Sequence, residues 1–311
     1  MNKSTLSLGR ILGIPIGLDY SWFLIFVLFT WSLSTNYYPA EFQNWPVIQY
    51  WIMGAVTVVL IFASVLLHEL GHSVVSLRYK VPVRNISLFM FGGVAQIGTE
   101  PPSASAEFWI ALDGPATSFA LALLFGLLQS LVGALAPLLA LVKYLAYING
   151  SLALFNLIPG FPLDGGRVFR AIVWGITHNL RRATFIAASL GRFIAYFFIF
   201  LGVQQMFTGN FGNGLWIALI GWFLERAAVS EIQQQTLQDL LAGQHVADAM
   251  RRDYTVVKPN DTLEQLINEH ILGAGRRSLI VEQNNRVVGL LTLHTLKRMP
   301  RSDWATTTAA Q

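Results

Sequence analysis

Long apolar segments recur from near the N-terminus to about Val229, and no other property of the chain restricts its fold as much. A helix needs roughly 20 apolar residues to cross a hydrocarbon core of about 30 Å. Six candidate runs can be delimited: Leu18 to Ser34, Trp51 to Leu77, Phe108 to Leu131, Leu138 to Phe155, Phe185 to Phe207 and Gly214 to Ala228. In lipid only helices and closed barrels keep every backbone N–H and C=O paired. The expectation is therefore a polytopic α-helical membrane protein with about six transmembrane helices. Composition supports it, with 54% hydrophobic and 12% charged residues, against about 25% charged in a typical soluble domain.

Other classes fall away by composition. The chain has no cysteine, which removes disulfide scaffolds, zinc ribbons, thiol nucleophiles and iron–sulfur clusters. Any metal must be held by His, Asp or Glu. The net charge of +4 comes from basic residues that are dispersed along the chain and form no stripe, so no nucleic-acid partner is expected. Under the six-helix reading Lys3, Arg10, Arg78, Lys80, Arg84, Arg167, Arg170, Arg181, Arg182, Arg192 and Arg226 fall on one side and Lys143 on the other. Cytoplasmic flanks are enriched in Lys and Arg, which places both ends of the membrane unit in the cytoplasm, as expected of a multi-pass protein of a bacterial plasma membrane. The first run has no small-residue cleavage site and reads as a retained helix.

After Glu231 the chain turns polar. The expected organisation is a membrane unit over residues 1–230, a Gln-rich linker helix over 231–243 and a small α/β domain over 244–311. In that domain Thr255-Val-Val257 reads as a short strand, Asp261 to Ile267 as a capped helix, and Ser278 to Glu282 with Arg286 to Leu291 as two strands around an Asn284-Asn285 turn. This order resembles a CBS domain. The resemblance brings an adenine nucleotide as a candidate ligand, although Thr292-Leu-His-Thr295 stands where nucleotide-binding members carry Thr-x-x-Asp, so the ribose-binding carboxylate is missing. CBS domains work in pairs, and about 60 residues alone bury only a marginal core. The resemblance thus implies either a homodimer through these regions or a chain truncated before a second copy.

Chemistry concentrates in the second apolar run, as His68-Glu69-Leu70-Gly71-His72. Positions i and i+4 share a helix face, so His68 and His72 present two imidazoles to one metal with Glu69 beside them. Ionisable side chains at membrane depth are costly and mark function. At 1.5 Å of rise per residue the pair lies roughly 15 Å from Arg78, inside the bilayer near its cytoplasmic face. A catalytic zinc commonly takes three protein ligands. His178, His245, His270 and His294 fall in loops or in the polar part, which leaves Asp164 as the third ligand. It lies in Asn156-Leu-Ile-Pro-Gly-Phe-Pro-Leu-Asp164-Gly-Gly-Arg167, where Pro and Gly break the helix. Irregular backbone at membrane depth is tolerated where it is buried or lines a wet cavity. Asp113 either hydrogen-bonds near the site or caps the break around Gly114-Pro115, of which the structural role is preferred, and Glu107 is read as marking the interfacial start of the third helix.

HELGH together with NLIPGFPLDGGR is where the sequence resembles the site-2 protease family of intramembrane zinc metalloproteases, in its six-helix branch with a C-terminal CBS region. The resemblance implies zinc held by His68, His72 and Asp164, with Glu69 as general base and Asn156 contacting substrate or supporting the oxyanion. It also implies a membrane-associated β-hairpin around Phe91-Gly92-Gly93-Val94, with Gly92 and Gly93 allowing an extended substrate to approach. The implied function is endopeptidase cleavage of a transmembrane or membrane-tethered protein near the cytoplasmic side. A CBS-regulated transporter or channel, and an inactive homologue that binds membrane proteins, stand as alternatives.

Overall fold

The computed structural model of the chain describes residues 5–310 other than 91, 134, 242, 244, 251, 252, 285 and 298. Lys3, Phe91 and Asn285, which figured in the topology and turn expectations, lie outside the described residues. The chain divides into two compact units, Met1–Asp239 and Leu240–Gln311.

The first unit opens with strands, not with a helix. Strands β1 (Thr5–Ile11) and β2 (Ile14–Asp19) precede helices α1 (Ser21–Ser32), α2 (Tyr38–Glu41) and α3 (Val47–Arg78). Strands β3 (Val83–Phe89) and β4 (Gly92–Ile97) follow, then α4 (Ala104–Val132), α5 (Ala136–Asn156), α6 (Asp164–Thr177), α7 (Leu180–Phe207) and α8 (Phe211–Leu241). The four strands form one sheet in the order β1-β2-β3-β4, with the central β2–β3 pair parallel and both outer pairs antiparallel. In β2 the alternation Ile14, Ile16, Leu18 is buried, as a strand with one covered face requires. That face packs on α3, where Ile14, Ile86 and Leu70 form one cluster with Leu66 and Ala95. The sheet is thereby seated against the turn of α3 that carries HELGH.

Helices α3, α4, α5 and α7 are long and apolar enough to cross a membrane. Their outward surfaces are apolar: Leu127, Leu131, Phe193 and Phe207 are exposed, as are Phe197 and Phe200 of the aromatic run in α7. The first and sixth apolar runs are not among these four. Leu18 and Asp19 belong to β2, the Asp19 carboxylate accepts from the Ser21 N–H, and α1 then has only 12 residues before a wider π-helical turn at Leu33–Tyr37. The sixth run is the first half of α8, whose second half carries the Gln-rich segment expected as a separate linker helix.

Two charges depart from their expected places. Glu107 is fully buried and Arg170 is 8% exposed, because α4 and α6 bring them into an ion pair.

The second unit holds α9 (Val246–Ala249), β5 (Val256–Val257), α10 (Leu263–Leu266), β6 (Ser278–Gln283), β7 (Arg286–Thr292) and α11 (Leu293–Leu296). Its sheet runs β5-β6-β7, parallel then antiparallel. Val257, Leu266, Leu279 and Val281 form the core. Thr262 Oγ1 accepts from the Gln265 N–H to cap α10, and Thr292 Oγ1 accepts from the Thr295 N–H to cap α11.

Candidate metal centre

The three expected ligands meet. His68 and His72 lie one turn apart on α3, and Asp164 is the first residue of α6. Asp164 Oδ2 is 3.0 Å from His68 Nε2 and 3.1 Å from His72 Nε2, and one ligand atom from each residue lies within 4.8 Å of the others. The imidazoles stand edge to face, with centroids 4.9 Å apart. All three groups are largely enclosed, with both His side chains 5% and Asp164 15% exposed.

The hydrogen bonds around the imidazoles decide what the cluster suits. His72 Nδ1 is 2.6 Å from the carbonyl oxygen of Ile110 in α4. A carbonyl only accepts, so Nδ1 carries the proton and neutral His72 is left with its Nε2 lone pair facing Asp164 Oδ2. His68 Nδ1 lies 2.9 Å from Ser118 Oγ, about two turns further along the same α4 face. Outer partners of this kind hold metal-ligating imidazoles in their tautomer and orientation. At His72 a lone pair on Nε2 faces a carboxylate oxygen 3.1 Å away and repels it unless a proton or cation sits between them, whereas His68 Nε2 stands at hydrogen-bond distance, 3.0 Å, from the same oxygen. Ligands at zinc distances of about 2.0–2.1 Å in a tetrahedron lie roughly 3.3 Å apart, close to the separations found here. Two His, one Asp and no thiolate fit a zinc site with an open position.

Gly114 explains how α4 comes so near. A Cβ there would overlap His72 Nε2 and Cε1 and lie 2.8 Å from His68 Nε2. Asp113, beside it, faces Gly71 of α3, where a Cβ would lie 3.0 Å from Asp113 Oδ2. The sequence left open whether Asp113 acts near the site or at the break, and nothing in it places Gly114 against the imidazoles.

This cluster and fold can be compared with known proteins. A model of peptidase family M50 matches residues 56–136 and 133–201, and a CBS domain model matches residues 246–301. Rip3 of Mycobacterium tuberculosis, assigned as a zinc metalloprotease, is 38% identical over 98% of this chain and 78% of its own length. The chain belongs to peptidase family M50. A second M50-like relative, the assigned zinc metalloprotease sll0528 of Synechocystis, is 34% identical over 97% of this chain and 80% of its own length. The solved site-2 protease from Methanocaldococcus jannaschii superimposes with a TM-score of 0.52 at 30% identity, over 73% of this chain and 95% of that one. M50 membership makes the chain a zinc metalloprotease with a CBS region and does not favour a transporter or channel.

The remaining expected residues of this M50 peptidase are placed as follows. Glu69 points toward the sheet, where its Oε2 accepts from the Ala95 N–H of β4 at 3.0 Å. Gly93 lies flat against it, and a Cβ there would come 2.6 Å from Glu69 Cγ. Gly92 has φ of +133° and no atom within 4 Å of a built Cβ, so its backbone conformation, not crowding, calls for glycine. Asn156 ends α5, and its amide makes no hydrogen bond among the described residues.

Proposed function

We propose that this M50 peptidase is an intramembrane zinc endopeptidase that cuts a transmembrane or membrane-tethered protein near the cytoplasmic side and releases a soluble fragment. The carrying observation is the convergence of His68, His72 and Asp164 inside an apolar helical unit, with Glu69 anchored beside them. His68, His72 and Asp164 hold the metal through Nε2, Nε2 and a carboxylate oxygen. Zinc held there supplies Lewis acidity, lowering the pKa of water to about 7 and polarising a carbonyl. Glu69 is the general base: the Ala95 N–H fixes Oε2, and Oε1, which makes no hydrogen bond among the described residues, takes the proton of water and passes it to the leaving amine. Asn156, with no hydrogen-bond partner among the described residues, donates to the developing oxyanion.

A transmembrane helix hides its peptide bonds, so the substrate unwinds before it is cut. Strand β4 is the outer strand of its sheet, and its Ala95 N–H faces Glu69 and not β3. We propose that the extended substrate pairs along this membrane-associated edge beside Gly92 and Gly93, gaining by β-augmentation the hydrogen bonds lost on unwinding.

The same reading holds that the polypeptide crosses the membrane six times, through the four long apolar helices together with the α1–α2 segment and the first half of α8. Both ends face the cytoplasm, a reading supported by the one-sided basic residues, and the membrane is that of a bacterium, as are the sources of the relatives from Mycobacterium and Synechocystis. Residues 1–230 form the protease, 231–243 link it to a single CBS-like domain over 244–311, and these domains pair in a homodimer with an adenine nucleotide as candidate ligand.

The test is cleavage of a model membrane-spanning substrate by the purified chain, with zinc content determined, beside Glu69→Gln. We expect zinc in both proteins and cleavage lowered about 10²- to 10⁴-fold in the variant. Absence of both metal and cleavage in the parent protein would overturn the reading.

A further inference from the structure

The ion pair between Glu107 and Arg170 touches neither the ligands nor Glu69, yet it joins the two helices that complete the cluster. Arg170 Nε donates to Glu107 Oε1 at 2.6 Å, and its Nη2 donates to the same oxygen. Its guanidinium also lies over the Phe161 ring, 5.0 Å from the centroid. Phe161 belongs to the loop between α5 and α6 that ends at Asp164, and it is 3% exposed. Arg170 is six residues beyond Asp164 on α6, about 9 Å of helix. Glu107 stands one turn before Ile110 on α4, whose carbonyl holds His72, and two turns before Gly114, which backs both imidazoles. A single buried guanidinium therefore ties the α4 face behind the His rings to the helix and loop that present Asp164.

The pair is poorly designed as a source of stability. Buried ion pairs are often replaceable by apolar residues without loss, because the cost of desolvating both charges consumes their attraction. Here Glu107 Oε2 is also buried without a hydrogen bond among the described residues, a further cost. What such a pair does supply is register, since its directional bonds are satisfied at only one rotation of α6 against α4. Backbone packing at Gly165 and Gly166, against Leu157 and Gly160, fixes how closely the first turn of α6 approaches the loop. The pair, two turns on, fixes the helix's rotation, and with it the direction of the Asp164 carboxylate.

We infer that Glu107 and Arg170 are positioning residues that set the α4–α6 register at which Asp164 meets His68 and His72. The inference rests on the metal-site reading given above. Its test uses the full chain in detergent or bilayer, with zinc affinity measured by chelator competition and unfolding temperature measured after metal removal. The variants are Arg170→Met, the apolar pair Glu107→Leu/Arg170→Met, and His68→Ala as a control for binding at the cluster. We expect Arg170→Met to lower both metal-free unfolding temperature and zinc affinity. The apolar pair should restore the unfolding temperature while zinc affinity stays at least about tenfold below the parent, as for residues that orient ligands, and the visible spectrum of the cobalt-substituted protein should shift. An apolar pair that restores stability and binds zinc like the parent would overturn the inference and leave the site reading intact. A parent protein that binds no zinc, or a His68→Ala variant that binds it equally well, would overturn the site reading and the inference with it.

Discussion

At the scale of single residues, the cluster is specified by atoms that do not belong to it. Ile110 donates nothing through its side chain, but its carbonyl fixes the His72 tautomer; the Ser118 hydroxyl, which can donate or accept, holds the orientation of the His68 ring. Replacing Ser118 by Ala is expected to lower zinc affinity about 10- to 100-fold, with the unfolding temperature of the metal-free protein little changed. Chelator competition checks it, and an unaltered affinity would show that His68 needs no outer partner. Gly114→Ala should be more severe than Ser118→Ala, since its Cβ would occupy the space of the His72 ring. We expect that variant to purify with well under one zinc per chain, as read by elemental analysis. The HELGH spacing and the isolated carboxylate at Asp164 were legible because costly groups in apolar surroundings are conspicuous. Ser118 and Gly114 were not, since a serine and a glycine in an apolar helix look like ordinary packing residues until the neighbouring helix is known.

Among the elements, β4 carries the interaction that matters most beyond the ligands. Its outward Ala95 N–H holds one oxygen of Glu69, and it is the outer strand of its sheet. Ala95→Pro removes that single edge donor. Cleavage of a membrane-spanning substrate should fall by at least about tenfold, the order of an interaction worth 1.4 kcal/mol, while zinc content is retained. Equal cleavage by the variant would remove the strand edge from the mechanism. The hairpin around Phe91-Gly92-Gly93-Val94 was expected from the family resemblance, but strand β2 escaped sequence reasoning. The apolar stretch starting at Leu18 was read as helix throughout, although Leu18 alternates with Ile14 and Ile16 in a strand of the same sheet. Their partners in β3 lie 70 residues on, and no local pattern reports a pairing at that distance. Arg170 was counted only among the basic residues of one side of the membrane, since its partner Glu107 is 63 residues away.

Across the whole molecule, every group of the centre and each of its named partners lies in Met1–Asp239. Removing residues 246–311 is therefore expected to leave zinc content unchanged, and elemental analysis of the shortened chain checks it. If cleavage is also unchanged with and without adenine nucleotide, the CBS region plays no part in regulating the protease. For the complete chain, a strong chelator should abolish cleavage and added zinc should restore it; activity that persists through chelation would count against a metalloprotease.

What the sequence by itself determined is what depends on composition and short spacing. Apolar length dictates helices suited to lipid, the i, i+4 spacing puts His68 and His72 on one face, and the loss of hydrophobicity after Glu231 marks a second kind of structure. Only the tertiary structure decided that α4 backs the imidazoles through Ile110, Gly114 and Ser118, that β4 holds Glu69, and that Glu107 is buried against Arg170. The physical reason is range. Periodicity and helix geometry act over a few residues, whereas tautomer, carboxylate orientation and the pairing of buried charges are set by atoms that become neighbours only when distant elements pack.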